Sequence, residues 1–151
     1  MTILAHRLTR LIEAHADQLV ESLEDRIARS QRCEEYRRRV DAAELKKLVS
    51  GIYSHLGQWL VTKTEEDIER RYTSIGIQRA EEGVPVSQLL WCIMQVKENL
   101  WEFLRNNENL ENTAQIFGEL VLTQMVDQFF DQAVYFAVRG HETTCEARMA
   151  S

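Results

Sequence analysis

The side chains through which this chain could hold a metal or attack a substrate are four histidines, three cysteines and a set of arginines. A helical di-iron site needs a glutamate three positions before a histidine, because that spacing puts both ligands on one helix face. None of His6, His15, His55 or His141 has one, and there is no HExxH pair and no EF-hand loop. His141 and Cys145 stand four apart, a spacing that could face one metal. They follow Gly140 in a polar stretch that reads as a tail, so the pair is read as accidental. Cys33, Cys92 and Cys145 are odd in number, far apart and without a CxxC pair. That pattern argues against a disulfide framework or a zinc knot and for a reducing cytoplasm. Cys92, between Trp91 and Ile93, reads as a small buried residue rather than a nucleophile. A glycine-rich phosphate loop and a GxSxG elbow are both missing. The expectation is a protein that is not an enzyme, with no catalytic, metal or cofactor-binding residues and no cofactor.

Arg79 stands out from the other arginines. It follows Ile68, Tyr72 and Ile75 at helical steps and therefore projects from a stripe meant for the core. An arginine there either snorkels, packing its stem while its head reaches water, or pairs with a carboxylate such as Glu82. His15 falls on the apolar stripe of the first helix and His55 borders that of the second; both read as hydrogen-bonded core or interface residues. The arginines between 26 and 39 read as a solvated connection paired with Glu34 and Glu35.

Five helical segments must position these groups. The first spans about 2–30, with Leu4, Leu8, Leu11, His15, Leu19, Leu23 and Ile27 on one stripe. The second starts at Asp41, an N-cap with Glu44 three residues on, and carries Leu45, Leu48, Val49, Ile52, Leu56, Trp59 and Leu60. The third follows the cap Thr64, with Glu65, Glu66 and Asp67 at the positive end of its dipole, and stops at Gly83 and Pro85. The fourth runs from about Val86 to Asn106, and the fifth from about Asn112 to Arg139, with Gly140 as its stop. One domain over 1–140 is expected, and 141–151 reads as a flexible tail.

The last two helices carry more apolar surface than one stripe needs. On the fifth, only Gln124, Asp127, Gln128, Asp131 and Gln132 form a narrow polar strip. On the fourth, Trp91 and Met94 lie off the face made by Leu89, Leu90, Ile93, Val96, Leu100, Trp101 and Leu104. A second buried face is expected of both, either central in the monomer or paired with a second copy. The paired reading is favoured, with Trp91, Met94, Leu122, Met125, Phe129 and Phe136 at a homodimer interface.

The totals fit this picture. With 151 residues, 44% hydrophobic, one proline and six glycines, the chain suits one all-α domain with a real core. Its 24 acidic and 18 basic residues give a net charge of −6, which argues against a general nucleic-acid binder. No apolar run approaches bilayer length and no signal peptide opens the chain, so no membrane partner is expected.

The run from Arg71 to Leu90 resembles a stretch of bacterial sensor globins. Ile75-Gly76 and Gly83-Val84-Pro85 match, while Arg79 stands where haem-binding members have their proximal histidine. A guanidinium stays protonated and has no lone pair for iron. The stretch is more similar to the N-terminal domain of RsbR and RsbRD-type stressosome co-antagonists, through Arg79, Glu82-Gly83-Val84-Pro85, Leu89-Leu90 and Leu100-Trp101. Related domains precede some sensor histidine kinases. The resemblance implies a globin-like, non-haem sensor domain that dimerises through its last helices and signals to an effector. That effector usually follows on the same chain, whereas this sequence stops at Ser151, as a piece of a longer protein or a stand-alone relative would.

The expected function is thus a cytoplasmic, non-enzymatic input domain of bacterial signal transduction. Tyr72, Ile75, Arg79 and Trp101 are its candidate ligand or coupling positions, and a small apolar molecule is a candidate ligand. The alternatives are a haem- or other cofactor-binding globin using His15 or His55, and a plain oligomerisation scaffold.

Overall fold

The computed structural model describes residues 3–107 and 113–150, and within them the side chains of all but 107 and 113–118. It is all-α, with no strand among the described residues, and its arrangement is consistent with a globin-like bundle. The helices are α1 (Ile3–Ala14), α2 (Ala16–Arg29), α3 (Glu34–Arg39), α4 (Ala42–Ser54), α5 (Glu65–Glu81), α6 (Val86–Asn107) and α7 (Thr113–Ala150). A 3-10 turn, Gln31–Cys33, leads into α3, and a π-helical turn, Gln58–Thr62, precedes α5. The expected starts of the first helix at Thr2 and of the fifth at Asn112 lie outside the described residues.

The single first helix expected from the sequence is two helices, broken at His15. The His15 ring nitrogen Nδ1 donates to the Leu11 carbonyl at 2.8 Å, and the ring leans on Phe103 with centroids 5.5 Å apart. The His15 backbone N–H is shared between the carbonyls of Leu11 and Ile12. A side chain entering the carbonyl ladder in this way kinks a helix. The buried face of α1 turns as a result: Ala5, Thr9 and Ile12 are buried, while Leu8 and Leu11 only flank the core.

Asp41 caps α4 as its type predicts, accepting from Ala43 N at 3.1 Å. Glu44 does not complete that cap; its carboxylate turns to Arg79. Thr64 and Asp67 do form a reciprocal capping box at the start of α5. At the other end of α5, Gly83 takes φ +81°, the left-handed conformation that glycine adopts without steric cost. Val84 N then donates to Arg79 O and Gly83 N to Ala80 O, both at 3.0 Å, closing a Schellman turn.

Gly140 does not end the last helix. The helix α7 runs through it to Ala150. A Cβ on Gly140 would stand 2.4 Å from the carbonyl oxygen of Thr73, and one on Gly76 would stand 1.9 Å from that of Ala137. The two glycines let α5 and α7 cross backbone against backbone, with Ala80, Ala133 and Ala137 buried alongside. A glycine at a close crossing and a glycine at a cap look alike in one sequence.

The core is crossed by a neutral polar network. Asn99, 2% exposed on α6, donates from Nδ2 to Leu19 O at 2.9 Å and to the Tyr53 hydroxyl at 3.2 Å. Its Oδ1 accepts from Ser22 at 2.8 Å, and Tyr53 donates to Val96 O at 2.8 Å. Every polar atom of the Asn99 side chain is matched, so the network ties α2, α4 and α6 without an unmet donor.

Candidate functional site

Cys33, Tyr36 and Val40 stand at helical spacing in the arginine-rich connection, and all three are buried. What the sequence presents as a solvated loop is therefore a docked turn and short helix. Tyr36 N donates to Gln88 Oε1 at 2.9 Å, Trp91 Nε1 to Ser30 Oγ at 3.2 Å, and Arg32 lies over the Trp91 ring. These contacts hold the segment on α6.

Docking brings the Tyr36 hydroxyl to Arg79. Arg79 is 0% exposed, so the snorkelling alternative is overturned: its head does not reach water. Pairing with Glu82 holds, and more partners join. Nε donates to the Tyr36 hydroxyl at 3.1 Å, and Nη1 donates to Glu44 Oε1 at 3.2 Å and Glu82 Oε2 at 3.1 Å. Nη2 has no partner among the described residues. A buried donor left unmet costs about 1–3 kcal/mol.

The charge state follows from these distances. Burial disfavours the guanidinium cation, but the Tyr36 oxygen and the Glu82 and Glu44 carboxylates outweigh it and hold Arg79 above its ordinary value. The Tyr36 phenol is pushed up to about 12 by burial, against the pull of Arg79. A fixed cation between two carboxylates and a phenol is an electrostatic clamp, and the guanidinium itself has no lone pair to give a metal.

Around the clamp, the end of α5 and the turn after it are tied further to α3 and α7. Arg39 Nη1 donates to Glu82 O at 3.4 Å. Arg148, from α7, donates to Ala80 O at 3.2 Å and Glu81 O at 3.3 Å. His141 is buried and donates from Nε2 to Val84 O at 2.7 Å, which leaves Nδ1 to accept from Cys145 at 3.6 Å. The histidine and cysteine that read as an accidental pair thus share a helix face, and the histidine fastens the Gly83-Val84-Pro85 turn. Among the described residues no three metal-ligating side chains cluster.

A single site does not collect all four candidate positions. Tyr72 belongs to a ring cluster with Trp59 and Phe129, centroids 5.9 and 5.8 Å away. Burial raises its phenol above the ordinary value. Beside it lies a groove of about 240 Å³ lined by Leu48, Ile52, His55, Trp59, Lys63 and Arg71. Ile75 and Trp101 are half-buried against the core, and Trp101 makes no ring contact with the Tyr72 cluster. Of the candidate interface residues, Leu122 and Phe129 lie in the core of the single chain at 0% and 2% exposure. Trp91, Met125 and Phe136 are half-buried, and Met94 is 40% exposed.

A model of the RsbT co-antagonist protein rsbRD N-terminal domain matches residues 13–151. The chain belongs to this family. The match takes in Arg79, the Glu82–Pro85 turn and the whole of α5, α6 and α7. No curated protein and no solved structure matches the chain. For an rsbRD-type N-terminal domain, a stressosome-related regulatory module, the clamp gives the Arg79 position a physical meaning. It joins the docked α3 segment, the start of α4, the end of α5 and the turn into α6. Among the described residues no helix is long and apolar enough to cross a membrane.

Proposed function

We propose that this domain is a non-enzymatic, cytoplasmic input module that passes a signal to an attached or partner effector. The carrying observation is the Arg79 clamp, a buried guanidinium shared among Tyr36, Glu44 and Glu82 where α3, α4, α5 and the turn into α6 converge. A cation that is costly to bury, held by carboxylates that can also turn to water, is poised between arrangements, which suits a coupling element better than a scaffold. The family's description as an RsbT co-antagonist supports an effector of that protein's kind.

The domain acts as a homodimer in this reading. Met94 on α6 and Leu120 and Tyr135 on α7 are exposed, and Lys97 and Asp127 pair at 3.6 Å between the two helices. Two copies laid face to face there form a four-helix contact. Sedimentation velocity at tens of micromolar is the test: a dimer that Met94→Glu converts to monomer supports it, and a wild-type monomer sinks it. A small apolar ligand is assigned to the groove beside Tyr72 and Trp59, and a thermal-shift screen with no hit removes that assignment. For coupling, Arg79→Met should uncouple effector output from its stimulus while the fold, followed by circular dichroism, persists. Unchanged output in that variant defeats the coupling role.

A further inference from the structure

The sequence spaces its cysteines far apart, yet the fold brings two of them together. Cys33, in the 3-10 turn before α3, and Cys92, on α6, are 59 positions apart in sequence and both buried, at 0% and 3% exposure. Their sulfurs are 3.3 Å apart, with the Cys92 thiol donating to Cys33 Sγ. Both are free thiols. Their carriers are already fixed on either side, by Tyr36 N on Gln88 and by Trp91 on Ser30. A disulfide bond is about 2.0 Å long, so closure asks the sulfurs to approach by little more than an ångström.

We propose that Cys33 and Cys92 are a modification site, a dithiol that hydrogen peroxide closes into an intramolecular disulfide. The Cys33 thiolate attacks one peroxide oxygen; its S–O bond forms, the O–O bond breaks, and the leaving hydroxide takes up a proton as water. Cys92 Sγ then attacks Cys33 Sγ, forming S–S and breaking S–O, and its proton leaves with the departing hydroxide as a second water. Two thiols are oxidised by two electrons and one peroxide is reduced to two waters.

The surroundings assign the roles. The hydrogen bond from Cys92 pulls the Cys33 thiol down to about 7 despite burial, with smaller help from Ser30 and the Arg37 charge. The same bond and burial push Cys92 up. Ser30, which acts on Cys33 and not on Cys92, favours the thiolate at Cys33, so Cys33 is taken as the attacking sulfur and Cys92 as the resolving one. Cys145, half-buried on α7 against His141, stands outside the pair. Closure would pin the docked segment that carries Tyr36 to α6, and so fix one side of the Arg79 clamp. The chemistry rests on the thiol geometry alone and stands whether or not the regulatory reading does.

The test is peptide mapping of the unaltered protein after treatment with hydrogen peroxide, acid quench and alkylation in denaturant. Trypsin separates Cys33, Cys92 and Cys145 onto different peptides, because Arg32, Arg37, Arg79, Lys97, Arg139 and Arg148 intervene. The expected product is a dithiothreitol-sensitive Cys33–Cys92 cross-link, lighter by two hydrogens, formed at a rate independent of protein concentration and retained in Cys145→Ser. It should raise Tm by about 5 °C or more. Cys33 and Cys92 still fully alkylated when Cys145 has been oxidised, or Cys33 driven to sulfinic acid without a cross-link, would overturn the proposal.

Discussion

Asn99 and Arg79 each stand buried where helices meet, yet their surroundings differ in charge and in completeness. Around Asn99 every partner is neutral and each polar atom of the amide is used. Around Arg79 the partners are two carboxylates and a phenol, and one guanidinium nitrogen has no acceptor among the described residues. The carboxylates are also half out, with Glu44 at 31% and Glu82 at 24% exposure, so they have water as an alternative partner. A complete neutral network has one good arrangement and fixes the core. An incomplete ionic one has competitors, and its geometry can be moved by small changes nearby.

The strongest way to break this comparison is Arg79→Ala, which leaves the Tyr36 hydroxyl without its donor and opens a void where the arginine side chain packed. Urea unfolding should show a loss of about 2–5 kcal/mol, the usual cost of truncating a long, fully buried side chain. Alkaline pH comes next. The Tyr36 phenol is raised from 10.0 to about 12 on folding, so its contribution is fully present below pH 10 and lost as pH rises toward 12. That shift amounts to about 2 kcal/mol by pH 12, and because burial also raises the Tyr53 and Tyr72 phenols it is read as the part of the falling urea midpoint above pH 10 that Tyr36→Phe removes. Asn99→Ala should cost about 2 kcal/mol, for the unmet Leu19 carbonyl and Tyr53 hydroxyl.

Arg79→Met sharpens the contrast, because it fills the space without a charge and lets both carboxylates turn to water. It should lose no more than about 1.5 kcal/mol. A loss as large as that of Arg79→Ala would mean that the ions themselves, not their packing, hold the site. Arg38→Ala, which removes a side chain that is 67% exposed and pairs with Glu35, should change stability by about 0.5 kcal/mol or less. An equal effect at 38 and 79 would erase the distinction between the buried clamp and the surface.

Parts of the site are legible in the sequence for physical reasons. The steps from Ile68 through Tyr72 to Arg79 put an arginine on a core stripe, and Glu82, one turn on, is a local partner that spacing alone can name. Tyr36 and Glu44 are not local. They come from 43 and 35 positions earlier, and pairing across that distance is a property of packing rather than of pattern. A trace was nonetheless present, since Cys33, Tyr36 and Val40 sit at steps of three and four within a run otherwise made of charged and polar residues. Glu44 was misread because a capping box and a long-range ion pair need the same residue at the same place. The two-faced character of α6 and α7 was legible, but which of their residues remain at the surface was not. Leu122 and Phe129 look like Met94 in a helical projection, and only tertiary packing buries the first two and leaves Met94 exposed.

The path of α5 across α7 has a mechanical consequence. At 1.5 Å per residue the 38 residues of α7 extend about 57 Å, and the Gly140 crossing lies about 15 Å from the end at Ala150. Where backbones touch with no side chains between them, the contact also fixes the register of the two helices, because a slip along either axis brings a Cβ onto the facing carbonyl. Together with the bonds from Arg148 and His141, it makes α5 and the second half of α7 a single body rather than two helices free to slide.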